Sequence, residues 1–305
     1  MTPAQIVVVG SYNHDVSLSV ARLPTPGETC LSLDRLDSPG GKGSNQAIQA
    51  ARCGAATAMI AAIGSDGAGD EALALWAADG IATQHVARLA DRPTGMATIL
   101  VDAMAENVIV VDSGANAHLT PAHIDAASAM IGAARVVVAQ LETPIAATLR
   151  AFEIARAGGV ATLLNAAPAP EAIEPGLLAL TDVLVVNEGE GRVLSGHDFA
   201  TQIGEALLGR VGKAVVVTLG AQGALLFEHH RPPLKAAPPK VEVVDTTGAG
   251  DAFTGAFAAR WATSGDLGSA LAWGVAAGSL ACTRKGAAAS CADAARISAL
   301  LSSSG

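Results

Sequence analysis

Short runs of Val, Ile and Leu recur along this chain, and their spacing constrains its fold more than any other feature. They are IVVVG from Ile6, TAMIAAIG from Thr57, RVVVAQLE from Arg135, VATLLN from Val160, DVLVVNE from Asp182, AVVVTLG from Ala214 and GALLFE from Gly223. Each is continuous rather than alternating, as strands buried on both faces of a sheet must be. Ala- and Leu-rich stretches of helical length, such as 69–78, 144–157 and 201–211, lie between most of them. The alternation predicts an α/β protein: a three-layer α/β/α arrangement around a largely parallel central sheet.

Two segments, 27–41 and 94–116, break the rhythm, because strand-like runs follow one another there without a helix between them. They predict a small antiparallel sheet projecting from the main body, with the AEN of 105–107 as a hairpin turn. Pattern alone leaves open whether this sheet is a lid or a surface ornament. The whole chain, 1–305, reads as one domain, with lid segments at approximately 12–40 and 93–116. From Asp251 onward it is helix-like almost to its end.

With 50% apolar residues in 305, a sizeable core is available. No apolar run approaches the roughly 20 residues that a membrane-spanning helix needs, so no membrane role is expected. The formal net charge is −9 and the basic residues are dispersed. Nucleic-acid binding, which needs a concentrated cationic surface, is therefore not expected. Cys30, Cys53, Cys282 and Cys291 form no CxxC pair, which suits reduced packing residues rather than a zinc site or disulfide framework. The first residues lack a basic leader pattern, and a cytoplasmic location is the expectation.

Three stretches could carry chemistry. In VVDTTGAGDAFTG, 243–255, a strand is expected to end near Asp245, Gly248 and Gly250 permit a turn with N–H groups pointing inward, and a helix is expected to start near Asp251. Such a helix N-terminus attracts anions. An acid there is expected to stay ionised, and beside a bound phosphate chain it can take the proton of an attacking hydroxyl. The stretch thus suits phosphoryl transfer to an alcohol, while a plain helix cap at Asp251 is the competing reading. The pairs Gly41-Lys42 and Gly212-Lys213 lack the Ser or Thr of a P-loop, and neither glycine-rich stretch completes a dinucleotide fingerprint.

In SPGGKGSNQAIQAARCGA, Pro39, Gly40, Gly41 and Gly43 make a pliable loop that enters a helix carrying Asn45 and Gln46. Close backbone approach, the Lys42 cation and an amide suit a polyhydroxylated ligand; a simple turn with a solvated lysine is the alternative. In GSYNHDVSL, Asn13 and Asp15 point the same way if the chain is extended, where they could bond several sugar hydroxyls or merely make a turn. His14 would point to the other side, as a structural residue.

The stretches GSYNHD, PTPGET, GGKGSNQA, QLE, NAAPA, NEGE, TLGAQGA, DTTGAGDAF and TRKGAAAS occur in an order and spacing that resembles the ribokinase-like, PfkB carbohydrate kinase family over nearly the whole chain. The resemblance implies ATP-dependent phosphorylation of a furanose at its terminal hydroxymethyl group. D-ribose, phosphorylated at the 5-hydroxyl, is the leading substrate; 2-deoxyribose or a nucleoside is the alternative, and a non-catalytic sugar-binding regulator a remoter one. By the same resemblance Asp251 is the base, and the Gly248, Ala249 and Gly250 N–H groups are the anion hole. Asn13, Asp15, Gly41, Lys42, Gly43, Asn45 and Glu142, with Asp251, would hold the sugar. ATP would lie along Asn187, Thr218, Leu219, Gly220, Ala221, Gln222 and Gly223, reaching Gly250, Asp251 and Val275. Glu190 would serve Mg²⁺ through water. K⁺ would be held by the Asp245 and Ser290 side chains and carbonyls near Thr247, Ala281, Arg284 and Gly286. A homodimer through the lid is implied as well. Val275, where the family often has Asn or His, and Ala166, where it commonly has Pro, depart from the pattern and imply looser contacts to the adenine.

Overall fold

The computed structural model describes residues 4–104 and 106–303. The IVVV run becomes β1 (Ile6–Val9), with all four side chains buried. It is followed by β2 (Asn13–Ser19), β3 (Asp34–Gly40), α1 (Lys42–Arg52), β4 (Thr57–Gly64), α2 (Gly67–Ala78), β5 (Ala82–Leu89), β6 (Gly95–Val101) and β7 (Asn107–Asp112). Next come α3 (Pro121–Ala126), α4 (Ser128–Gly132), β8 (Val136–Ala139), α5 (Ile145–Ala157), β9 (Ala161–Asn165), α6 (Pro175–Ala179) and β10 (Val183–Asn187). The remainder is α7 (Glu188–Ser195), α8 (Ala200–Leu208), β11 (Ala214–Thr218), β12 (Ala224–Glu228), β13 (Leu234–Ala236), α9 (Ala249–Ser264), α10 (Leu267–Ala281), α11 (Ala287–Ser290) and α12 (Ala294–Ser303).

The large sheet has the order β13-β12-β11-β10-β9-β8-β1-β4-β5. It is parallel from β11 to β5, and only β12 and β13 run antiparallel to their neighbours. Its two faces explain the unbroken apolar runs. Ile6 and Val8 pack with Ile48, Phe253 and Phe257 on one side, while Val7 and Val9 pack with Phe152, Ile203 and Leu207 on the other. This is the expected three-layer α/β/α arrangement around a largely parallel sheet. The fully buried Trp76 donates its indole N–H to Ser44 Oγ at 2.9 Å, so its polar edge is satisfied inside the core.

Strand order also positions the site. β1 has β4 on one side and β8 on the other, so the chain's progression across the sheet reverses there. In an open parallel sheet, the carboxyl ends of strands at such a reversal frame a crevice. Residues just after β1 and β8 therefore stand at its rim.

The two irregular segments form a separate four-stranded sheet of order β3-β2-β6-β7. It is not wholly antiparallel as expected: β2 pairs antiparallel with β3 but parallel with β6, from Asn13↔Gly95 to Ser19↔Val101. Long connections through the main body join those two strands, which permits parallel pairing. The AEN turn includes Ala105, which lies outside the described residues. Asp102 caps this connection by accepting from Met104 and Glu106 N–H.

The strand expected to end near Asp245 is absent. Pro238 and Pro239 interrupt the donors after β13, and the following segment is held instead by Val244 and Asp245 N–H groups donating to Cys282 O at 2.8 and 3.2 Å. No helix among the described residues is long and apolar enough to cross a membrane.

Candidate active site

β1 ends at the crevice in Gly10 and Ser11, and α1 begins beside them. Gly41, the residue before α1, has φ 87°, and a Cβ there would lie 2.7 Å from Asn13 N and Tyr12 Cα, so glycine alone fits. Glu142, just beyond β8, reaches across to accept from the Lys42 N–H at 2.9 Å and the Ser11 hydroxyl at 2.5 Å. Its charge faces the first turn of α1, where the helix dipole favours an anion. Lys42 Nζ stands 3.9 Å from the other Glu142 oxygen. Burial works against the Lys42 charge, but Asp251, Glu142, Glu190 and Asp15 outweigh it and raise the lysine above its ordinary pKa.

β2 turns Asn13 and Asp15 to one side and His14 to the other, as extended backbone requires. The His14 ring lies between Glu71 and Asp37, at 3.0 and 3.1 Å, which makes it a tie between α2 and the small sheet. Asp15 Oδ1 is buried with no hydrogen-bond partner among the described residues. Burial, then Glu142, push the Asp15 carboxyl up to about 7, with His14 and Lys42 opposing and Asp251 reinforcing. An acceptor left unpaired at the crevice is suited to a ligand hydroxyl.

α9 opens on Gly248, in the left-handed conformation at φ 75°, and its first helical residue is Ala249. Asp251 therefore sits inside the first turn and is not the helix cap. Its carboxylate accepts from Asn45 Nδ2 on Oδ2 at 2.9 Å and from Gln46 Nε2 on Oδ1 at 3.0 Å. Burial raises the pKa of this acid, against Lys42, Asn45 and Gln46, and Glu142 adds to the rise, so burial acts on it alongside the helix end. A buried, strengthened base beside a lysine is the usual tuning for proton abstraction near neutral pH. In this conformation the Ala249 N–H closes a turn onto Thr246 O at 3.2 Å.

Asn187 and Glu190 form a capping box at the start of α7: Asn187 Oδ1 accepts from Glu190 N–H, and Glu190 Oε2 from Asn187 N–H, both at 2.8 Å. Burial raises the Glu190 pKa, the Asn187 N–H and Lys42 oppose it, and Asp251 adds to it, so Glu190 belongs to the same charge cluster. Thr218 ends the neighbouring β11, and the 3-10 turn Gly220–Gln222 leads to Gly223, at φ 89°, where an added Cβ would run into Ala236 O. Beside Ala236 a cavity of about 390 Å³ is lined by Leu234, Pro239, Leu271, Ala272 and Val275 among others. Its apolar walls suit the faces of a heterocyclic base.

Asp245 ties together two of the remaining expected residues, Thr247 and Gly286. Oδ1 accepts from the Thr247 N–H and hydroxyl, at 2.9 and 2.7 Å, and Oδ2 from the Gly286 N–H at 3.0 Å. Burial would raise this acid, but those donors outweigh it and lower its pKa. Gly248 is pressed against Ala287, where a Cβ would stand 2.7 Å from the Ala287 Cα. Ser290, fully buried, donates to Ala287 O at 2.8 Å. Carboxylate and hydroxyl oxygens such as those of Asp245 and Ser290 are the ligand type that a hard cation takes.

Sequence reasoning overlooked the amides behind these groups. Asn116 holds Tyr12 N and O and donates to Asn13 Oδ1 at 2.8 Å. Gln140 and Asn165 surround Gln46. Amides at strand ends and on the inner face of a helix, amid apolar neighbours, were the available signal.

An acid buried at a helix N-terminus, tied to a lysine-bearing glycine loop, is an arrangement for activating a hydroxyl next to a phosphate chain. The chain matches the pfkB family carbohydrate kinase model over residues 3–295 and belongs to that family. Among its relatives, the ribokinase of Staphylococcus aureus (strain COL) is 41% identical over 294 residues, 94% of this chain and 96% of that protein. The deoxyribokinase of Salmonella typhi is 32% identical over 290 residues, 92% of this chain and 93% of that protein. The structure of Arabidopsis thaliana ribokinase complexed with ribose and ATP superposes with a TM-score of 0.90 at 31% identity, covering 98% of this chain and 99% of that one.

Proposed function

We propose that this protein transfers the γ-phosphoryl group of ATP to the 5-hydroxyl of D-ribose, giving D-ribose 5-phosphate and ADP. The observation that carries the reading is the Asp251 carboxylate, buried at the N-terminus of α9 and bonded to Asn45 of the glycine loop. The resemblance to ribokinases at up to 41% identity, over nearly their full length, selects the substrate.

In this reading Asp251 takes the proton as the sugar oxygen attacks the γ-phosphorus. Asn13, Asp15, Lys42, Asn45 and Glu142, with the Gly41 and Gly43 backbone, orient the ring. The amides of Gly248 to Gly250 face the charge that spreads over the transferring oxygens, the Ala249 N–H leaving Thr246 O to do so. Asn187 and the Thr218–Gly223 turn flank the nucleotide, whose base lies toward Val275. Four carboxylates, Asp15, Glu142, Glu190 and Asp251, surround one lysine. That excess of negative charge suits a neutral polyol, and it requires the triphosphate to arrive charge-compensated. Mg²⁺ on the nucleotide would supply that compensation, with Glu190 the residue placed to hold its water shell.

K⁺ would be held by Asp245, Ser290 and the carbonyls near Thr247, Ala281, Arg284 and Gly286, bracing the Gly248 turn from behind. A homodimer through the small sheet completes the reading, supported by Leu33, Leu36, Ile109 and Val110 on its exposed surface. A cytoplasmic site of action accords with a nucleotide-dependent enzyme.

The test is a panel of D-ribose, 2-deoxyribose and nucleosides with Mg·ATP. Asp15, whose free acceptor suits vicinal hydroxyls, favours ribose. Higher kcat/KM on 2-deoxyribose or a nucleoside would overturn the substrate, and no turnover on any of them would overturn the reading.

A further inference from the structure

Behind Asp251 lies a chain of buried amides that no part of the proposed chemistry uses. Gln46 Nε2 donates both to Asp251 Oδ1 and to Asn165 Oδ1, each at 3.0 Å. Gln140 Nε2 donates to Gln46 Oε1 at 2.6 Å, and Asn165 Nδ2 to the Val185 carbonyl at 3.3 Å. Gln46 is fully buried, and Gln140 and Asn165 are 1% and 8% exposed.

A side-chain amide can turn over and exchange its donor for its acceptor, so its orientation must be imposed from outside. Here the sense begins at a group that cannot turn. The Val185 carbonyl only accepts, so Asn165 gives it Nδ2 and presents Oδ1 to Gln46. Gln46 must then offer Nε2 to Asn165, which sends its second N–H to Asp251. Gln140 completes the constraint by donating to the oxygen of Gln46. Reversing Gln46 would set its oxygen against two acceptors, Asn165 Oδ1 and Asp251 Oδ1, inside a water-poor core where unmade hydrogen bonds are costly.

We infer that Gln46 and Gln140 are positioning residues for phosphoryl transfer: Gln140, together with Asn165, holds the amide sense of Gln46, and Gln46 fixes the orientation and acidity of the Asp251 carboxylate. The inference rests on Asp251 being the base. Gln46 holds one oxygen of the carboxylate and Asn45 the other, which sets the plane in which its free lone pairs meet the sugar hydroxyl. A hydrogen bond donated to a carboxylate also favours its ionised form. The charged and titratable groups that act on Asp251 from the surrounding elements are Lys42, Glu142, Asp15, Glu190 and Cys291, and none of them is altered when the glutamines are changed.

The experiment compares Gln46→Met, Gln140→Met and the double variant in the full-length protein, with pH profiles of kcat/KM for ribose and thermal melting. Gln46→Met should lower kcat by about 10- to 100-fold, the scale of a misplaced catalytic group, with little change in KM. Its acid limb should move to higher pH. Gln140→Met should shift both in the same direction by less. The double variant should be no worse than Gln46→Met, because Gln140 acts only through Gln46. A double variant whose loss is the product of the two single losses overturns the inference, as does an unchanged acid limb in folded Gln46→Met. If Gln46→Met does not fold, an unchanged limb in Gln140→Met overturns it equally. Asp251→Asn serves as the control. If it retains turnover, the base assignment falls and the inference with it; if it is inactive while the glutamine variants keep the wild-type profile, only the inference falls.

Discussion

Asn45 and Asp251, 206 positions apart, meet through a single 2.9 Å hydrogen bond at the point where the N-termini of α1 and α9 converge. That bond makes one site of two glycine-rich turns. α1 brings Lys42 and the backbone that approaches β1; α9 brings the acid and the amides of Gly248 to Gly250. In the proposed function these are the sugar loop and the phosphoryl loop, joined by this bond at two helix N-termini.

Asp15 should cost stability in the unliganded protein. Its folded pKa of about 7 lies above its ordinary 3.8. The folded state therefore holds a proton that the unfolded chain releases between those values, and the associated stability is present below about 4 and lost as pH rises to about 7. Asp15→Asn should melt higher than wild type at pH 8, with the difference closing toward pH 4, while KM for ribose rises. Melting curves with an equal gap at both pH values would contradict the assignment.

Gly43 should tolerate no side chain. An added Cβ would fall 2.5 Å from Ser11 N and 2.7 Å from Gly10 C, both backbone atoms of the β1 turn. Gly43→Ala should lose about 1–3 kcal/mol of stability, as overpacked cores do, and raise KM for ribose by opening the crevice. Denaturant titration measures the first and initial rates the second. An unchanged midpoint would show that the turn can move.

Monovalent cation should matter through Asp245. Replacing K⁺ by a bulky organic cation should lower kcat severalfold in wild type, and Asp245→Ala should be slow in both buffers. The comparison is one of initial rates at constant ionic strength. A wild type indifferent to the cation would remove the ion from the account.

The outer surface of the small sheet should be covered by a second copy. β7 is exposed along its whole length although it reads NVIVVD. Sedimentation velocity should give twice the chain mass of 30.3 kDa, and Ile109→Glu should shift the population toward monomer. A wild-type monomer at micromolar concentration would contradict this.

Much of the molecule was legible in its sequence because apolar runs buried on both faces have few alternatives. IVVV, VVVA and AVVVT each became a strand of the parallel run, and the strand order sets the carboxyl ends of β1 and β8 beside the crevice. The segment before Asp245 misled because Val243 and Val244 look strand-like, yet the prolines before them deny the ladder its donors. The pairing of β2 with β6 was hidden by sequence distance: local pattern reveals hairpins, not parallel partners brought together through the main body. The upward push of burial on the Asp251 carboxyl was not legible, because helix-end electrostatics can be read from a sequence whereas burial cannot. Gln140, Asn165 and Asn116 were missed, and the place of Gln46 against Asp251 was not foreseen, for a related reason: an amide's role depends on which groups surround it in space.

The most direct measurement is the rate of D-ribose 5-phosphate formation by Asp251→Asn, alongside a ribose-binding titration of the same variant. Removing a general base costs about 10²- to 10⁴-fold, so kcat should fall by at least a hundredfold while ribose affinity stays within a fewfold of wild type. Wild-type turnover by Asp251→Asn, with binding intact, would contradict the assignment of Asp251 as the base.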